Sequence, residues 1–248
     1  MSPTDRHDAI DALRGFALLW MAVFHFCFDL NYFGYLHEDF YNGRLWTTQR
    51  GIILSLFLFC VGLGQSVAAA RGQDAPRFWR RWRQVAAAAL LVSLGSWLMF
   101  PRSFIYFGVL HGIAVMLVVA RLSASWQATR LLLAGVLALL AWLLGAWLLQ
   151  GSAVQTLFNS PWLNWLGIVT RKPVTEDYVP LLPWLAVVWW GTAAGQWLQA
   201  HHPEVLAWQP GRAVRRLAAL GRWSLSFYLL HQPVLLAGML LTRFLARA

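Results

Sequence analysis

Cysteine, lysine and charge are all scarce in this chain of 248 residues. Its two cysteines, Cys27 and Cys60, both lie in apolar runs. They read as small core residues, which excludes a disulfide framework or a cysteine metal site. The one lysine, Lys172, falls in a loop, so a Schiff base of the retinal type has no partner inside a helix. No apolar run carries more than one histidine, which excludes paired haem ligands on a single helix. No internal repeat is visible, whereas many transporters are built from inverted repeats. Charged residues make up 12% and hydrophobic ones 59%, a balance that excludes an ordinary soluble domain.

What the chain does have is apolar length. A membrane-spanning helix needs about 20 mostly apolar residues. Seven runs qualify, at roughly 12–35, 51–70, 84–100, 104–120, 131–149, 179–199 and 220–242. The expected fold is all-α, a polytopic membrane bundle of about seven transmembrane helices forming a single domain, 1–248. With Asp5, Asp8 and Asp11 at the start and no small-residue cleavage site, the first run is expected to stay in place. Pro183 and Pro233 sit inside runs and are expected to kink them.

The net charge of +10 would suggest nucleic acid in a soluble protein. Here the arginines cluster in short loops, as the positive-inside bias requires, and no nucleic-acid partner is expected. With the N-terminus in the cytoplasm, Arg6, Arg71, Arg77, Arg80, Arg81, Arg83, Arg121, Arg130, Arg212, Arg215, Arg216 and Arg222 fall inside. Arg44, Arg50, Arg102, Arg171, Lys172, Arg243 and Arg247 fall outside. That excess favours a cytoplasmic N-terminus. The outside segments near 36–50 and 150–178 are the longest, and Trp162 and Trp165 in the second fit an interfacial belt, a partly re-entrant helix or a surface that stacks on a sugar.

Ionisable groups are costly in lipid and need a partner, a wet cavity or a function. His25, Asp29, His111 and His231 each interrupt an apolar run, and Asp11 and His37 stand at the ends of the first. At a rise of about 1.5 Å per residue, His25 lies about 20 Å from the inner end of its span, and His111 and His231 each lie about 13 Å deep. Three separate helices could thus bring three imidazoles to one cavity. His25 and Asp29 are four apart and share a helix face. A carboxylate beside an imidazole suits a general base, or else ties helices together. Asp11 and Arg14 read equally as an anchor for an anionic ligand or a local ion pair.

The same residues carry a resemblance. Asp11-Ala12-Leu13-Arg14-Gly15-Phe16-Ala17, followed by Phe24-His25-Phe26 and Phe28-Asp29-Leu30, resembles the opening of the heparan-α-glucosaminide N-acetyltransferase catalytic domain, of the transmembrane acyltransferase superfamily. Tyr106 to His111, Asp177 to Trp184 and Ser224 to Pro233 agree in the same order. The resemblance implies acetyl-CoA as a cytoplasmic donor, with no metal, and a sugar amine or hydroxyl on the far side as acceptor. Related acyltransferases keep a histidine at the place of His25. The lysosomal member has asparagine there and a functional histidine near the outer end of the span, which here is Leu36 or, with a one-residue shift, His37. We favour His25. Without the lysosomal member's luminal domain, the expected acceptor is a bacterial envelope glycan rather than heparan sulfate, and the expected location is the bacterial inner membrane.

On this reading the candidate catalytic residues are His25, Asp29, His37 and His111. The candidates for holding the donor are Asp11, Arg14, Arg80, Arg81, Arg83 and His231. His231 is also readable as structural, because Pro233 frees a backbone carbonyl that a polar side chain can satisfy. His111, Tyr228 or a backbone N–H could stabilise the oxyanion. Direct transfer and a route through an acetyl-histidine both fit, as does a homodimer. The competing reading is a transporter or flippase with a polar site at mid-membrane.

Overall fold

The computed structural model describes residues 7–72 and 74–245. Asp5, Arg6 and Arg247, which entered the leader and orientation arguments, lie outside the described residues. The described residues are all-α: α1 (Asp8–Tyr32), α2 (Arg44–Ala70), α3 (Ala75–Met99), α4 (Val109–Leu122), α5 (Ala128–Leu149), α6 (Gln155–Phe158), α7 (Leu181–His201), α8 (Pro203–Ala207), α9 (Arg212–Arg222) and α10 (Ser224–Leu245). Extended pairing among them is a single parallel bridge between Phe107 and Tyr178.

Each of the seven apolar runs overlaps a helix, and the chain is an integral membrane protein. Among the described residues, α1, α2, α5 and α10 are the helices both long and apolar enough to cross a membrane. The other three fall short for identifiable reasons. Arg77, Arg80, Arg81 and Arg83 occupy the first turns of α3. In α7, four tryptophans and two glutamines dilute the aliphatic residues. The helix α4 has 14 residues, because 104–108 does not join it. There Val179 N–H donates to Phe107 O (3.2 Å) and Glu176 N–H to Ser103 O (2.9 Å). Aromatic and β-branched residues favour such extended pairing over helix.

Proline acts as its chemistry requires. Leu182, before Pro183, is extended (φ −98°, ψ 135°) at the start of α7, since the proline ring crowds a helical predecessor. Pro233 lies inside α10. Gly34 ends α1 with φ +83°, while Tyr35 N–H reaches back to Leu30 O (2.8 Å). A residue with a Cβ is strained in that left-handed conformation.

The chain divides into two compact units, residues 1–57 with 204–248, and residues 58–203. In the first unit, α1 lies against α9 and α10. The approach of α1 to α9 is close: a Cβ on Gly15 would meet the backbone oxygen of Leu217, and one on Gly221 that of Asp11. Arg222 pairs with Asp8 (3.2 Å) nearby. Leu18, Met21, Phe24, Phe40 and Ile53 form this unit's core, with Trp46, Phe227 and Tyr228 packed against it.

In the second unit, glycines again set the crossings. A Cβ on Gly62 of α2 would meet the Val188 oxygen of α7, and one on Gly135 of α5 would meet the Trp190 indole of α7. Trp82 Nε1 donates to Ala114 O (2.9 Å), joining α3 to α4. An open cavity of about 710 Å³ lies at the C-terminal ends of α2, α4 and α7, lined by Ser66, Arg121, Gln196 and Gln199 among others.

Candidate active site

The first unit brings together four polar side chains from two helices. α1 contributes His25 and, one turn on, Asp29. α10 contributes His231 and Gln232. The imidazoles of His25 and His231 stand 5.0 Å apart, centroid to centroid, at 60°. Gln232 Nε2 donates to Asp29 Oδ1 over 2.7 Å. Aromatic rings pack around the pair: Phe24 meets His25 edge-on at 5.7 Å, and Phe227 stacks on His231 at 5.9 Å.

The hydrogen bonds fix the state of His231. Its Nδ1 lies 2.8 Å from Tyr228 O. A carbonyl only accepts, so Nδ1 carries a proton, and in the neutral ring Nε2 is a bare acceptor. That Nε2 is buried without a partner, and so are Asp29 Oδ2 and Gln232 Oε1. Asp29 is only 1% exposed. Buried acceptors without donors cost free energy, each about 1–3 kcal/mol. Three of them stand on residues of this one small group.

Of the two readings of the His25 and Asp29 spacing, the Asp29 side chain follows the one that ties helices together. Among the described residues its side-chain hydrogen bond goes across to Gln232, and none joins it to His25. Gln232, which sequence reasoning did not single out, is the partner. The available signal was an amide beside a proline in an otherwise apolar run.

His111 belongs to the second unit, and both its ring nitrogens are used. Gly108 N–H donates to Nδ1 (3.2 Å), so Nε2 carries the proton and faces Ser93 Oγ at 3.0 Å. Ser93 Oγ in turn donates to Ile105 O (2.7 Å). Asp177 Oδ2 accepts from Val109 N–H (2.8 Å). His111 and Asp177 thereby satisfy donors that the start of α4 would otherwise leave orphaned. The small residues beside His111 admit protein, not open space: a Cβ on Gly112 would stand 2.7 Å from Val179 O. Next to this, buried Asn164 donates to Tyr106 Oη (2.7 Å) and Tyr178 Oη donates to Asn164 O (2.6 Å). Burial pushes both phenols above their ordinary range, and Tyr106 adds to the effect on Tyr178.

The remaining candidates are placed as follows. Arg14 Nη1 donates to Asp11 Oδ1 (2.9 Å) beside the α1–α9 crossing. Arg80, Arg81 and Arg83 are exposed on α3, and Arg81 reaches Gln84 Oε1 at 3.4 Å. His37 is exposed on the loop between α1 and α2. In that loop Asp39 accepts from the backbone N–H of Asn42 (2.9 Å) and of Tyr41 (3.1 Å), which hold its carboxyl below the usual range, the Asn42 backbone bond most of all. Trp162 is 84% exposed. Its segment holds only the short α6 and a 3₁₀ turn at Asn164–Leu166, not a re-entrant helix. Cys27 and Cys60 form no disulfide among the described residues. No group of three or more His, Cys, Asp or Glu side chains is gathered closely enough for a metal ion among the described residues.

No curated protein matches the chain, and no solved structure does. One family model does, described as heparan-alpha-glucosaminide N-acetyltransferase, catalytic, and it covers residues 6–233. That span includes α1, the whole second unit, and α10 as far as Pro233, and so it holds every polar residue of the paired-imidazole group. The chain belongs to the heparan-alpha-glucosaminide N-acetyltransferase catalytic family.

Proposed function

We propose that this protein moves an acetyl group from cytoplasmic acetyl-CoA to an amine or hydroxyl of an envelope glycan on the periplasmic side of a bacterial inner membrane. Family membership supports the reaction class. The observation that carries the reading to particular residues is the juxtaposition of His25 and His231 at 5.0 Å, both half-buried and flanked by aromatic rings. The four polar residues there offer acceptors, and acceptors are what a nucleophile with protons to lose requires.

Acetyl-CoA supplies an acyl group already activated as a thioester. His25 takes the proton that the acceptor nitrogen or oxygen sheds, and returns it to the departing sulfur. His231 stands next to it with its tautomer set by Tyr228 O and offers its bare Nε2 to the same proton or to the acceptor. Tyr228, whose ring lies 5.8 Å from that of His231, carries a phenolic O–H in the same unit for the developing oxyanion.

The polyanionic end of the donor fits guanidinium groups. Exposed arginines on α3 (Arg80, Arg81 and Arg83) meet that need. Arg14 is already committed to Asp11, which suits it less to a phosphate. With the N-terminus in the cytoplasm, these basic ends lie on the donor's side. His37, on the exposed loop, takes no part in the proton transfer.

The test is a mass-spectrometric comparison of envelope glycans from cells with and without this protein. A glycan that loses one acetyl mass when the protein is deleted supports the reading and identifies the acceptor. An unchanged glycan profile, together with uptake of a solute that depends on the protein, favours a transporter.

A further inference from the structure

We infer that Gln232 is a positioning residue for the His25 base, acting through Asp29; the inference rests on the acyltransferase reading above. α10 carries its internal proline at this point. Pro233 has no N–H, so the helix lacks the bond that would reach back one turn. His231 and Gln232 immediately precede that gap. A side-chain bond, Gln232 Nε2 to Asp29 Oδ1 at 2.7 Å, ties this stretch of α10 to α1.

The bond is well placed to set geometry. Asp29 is one turn beyond His25 on the same face of α1, and Gln232 is the neighbour of His231. Rotation of either helix that lengthened the bond would also change the 5.0 Å separation of the two rings. Loss of the bond is costly, because Asp29 Oδ2 and Gln232 Oε1 have no other partner to fall back on. A buried carboxylate would then keep no donor at all. The device holds the imidazoles while leaving them free of any direct bond to the carboxylate.

The direction of the bond gives a decisive test. Gln232→Glu sets two carboxyl groups against each other, so the bond survives only where one of them holds a proton. Asp29→Asn combined with Gln232→Glu restores one donor facing one acceptor, with the direction reversed. The full chain, reconstituted in lipid, is assayed for transfer of labelled acetyl from acetyl-CoA to glucosamine across a range of pH. Gln232→Glu is expected to lower kcat about tenfold to a hundredfold and to move the acidic limb of the pH profile. The double variant is expected to recover kcat to within about threefold of the wild type, with the limb restored. A mere loss of folded protein would instead scale the profile equally at every pH, and that outcome overturns the inference. So does a Gln232→Glu enzyme as active as the wild type, or a double variant as poor as the single. A wild type that transfers no acetyl group overturns the acyltransferase reading, and the positioning role with it.

Discussion

His25 on α1 and His231 on α10 face each other with ring centroids 5.0 Å apart, and the second ring has its proton committed to Tyr228 O. One imidazole is thus oriented by backbone and the other has no hydrogen bond among the described residues. Two histidines in one apolar unit then have different tasks available, one to accept a proton and one to hold or share it.

His231→Ala removes the bare Nε2 but leaves His25 in place. It should lower kcat about tenfold to a hundredfold, with the KM for acetyl-CoA within about threefold of the wild type. Initial-rate kinetics on reconstituted protein measure both. A raised KM with unchanged kcat would return His231 to a donor-binding role.

His111→Phe should act on stability. Its two ring nitrogens bond Gly108 N–H and Ser93 Oγ, and phenylalanine supplies neither. The expected loss is about 1–3 kcal/mol, read as a lower thermal midpoint in detergent, with kcat per folded molecule close to the wild type. A full loss of turnover in a stable variant would restore a catalytic part for His111.

Gly221→Ala should destabilise the first unit by about 1–3 kcal/mol, since its Cβ would collide with the Asp11 backbone oxygen. Gly238→Ala is the control. It lies inside α10 with open space where the Cβ would go, and should be neutral or raise stability by up to about 1 kcal/mol. Thermal unfolding of both variants decides whether close α1–α9 approach holds the unit.

The helices were legible in the sequence because apolar length is a strong signal. Each of the seven expected runs overlaps a helix. Their ends and their fitness to span were less legible. Residues 104–107 are apolar enough to extend α4, yet the backbone of Ser103 and Phe107 at the ends of this stretch pairs with 176–179 instead, a choice made by distant residues. At the site, sequence spacing put His25 and Asp29 on one face, which is where they lie. It gave no sign that the carboxylate would turn to Gln232, because a partner about two hundred residues away leaves no periodicity. Depth along the spans suggested that three imidazoles would share a cavity. The structure pairs His25 with His231 and engages His111 within the second unit.

The central claim is that His25 is the base of an acetyl-CoA-dependent transfer. The most direct measurement is single-turnover transfer of labelled acetyl to an amino sugar by purified, lipid-reconstituted protein, with His25→Ala and His37→Ala compared at equal folded concentration. The account expects rapid transfer by the wild type, a loss of about a hundredfold or more in His25→Ala, and near-normal rates in His37→Ala. Transfer that survives in His25→Ala, or that disappears in His37→Ala alone, would contradict it.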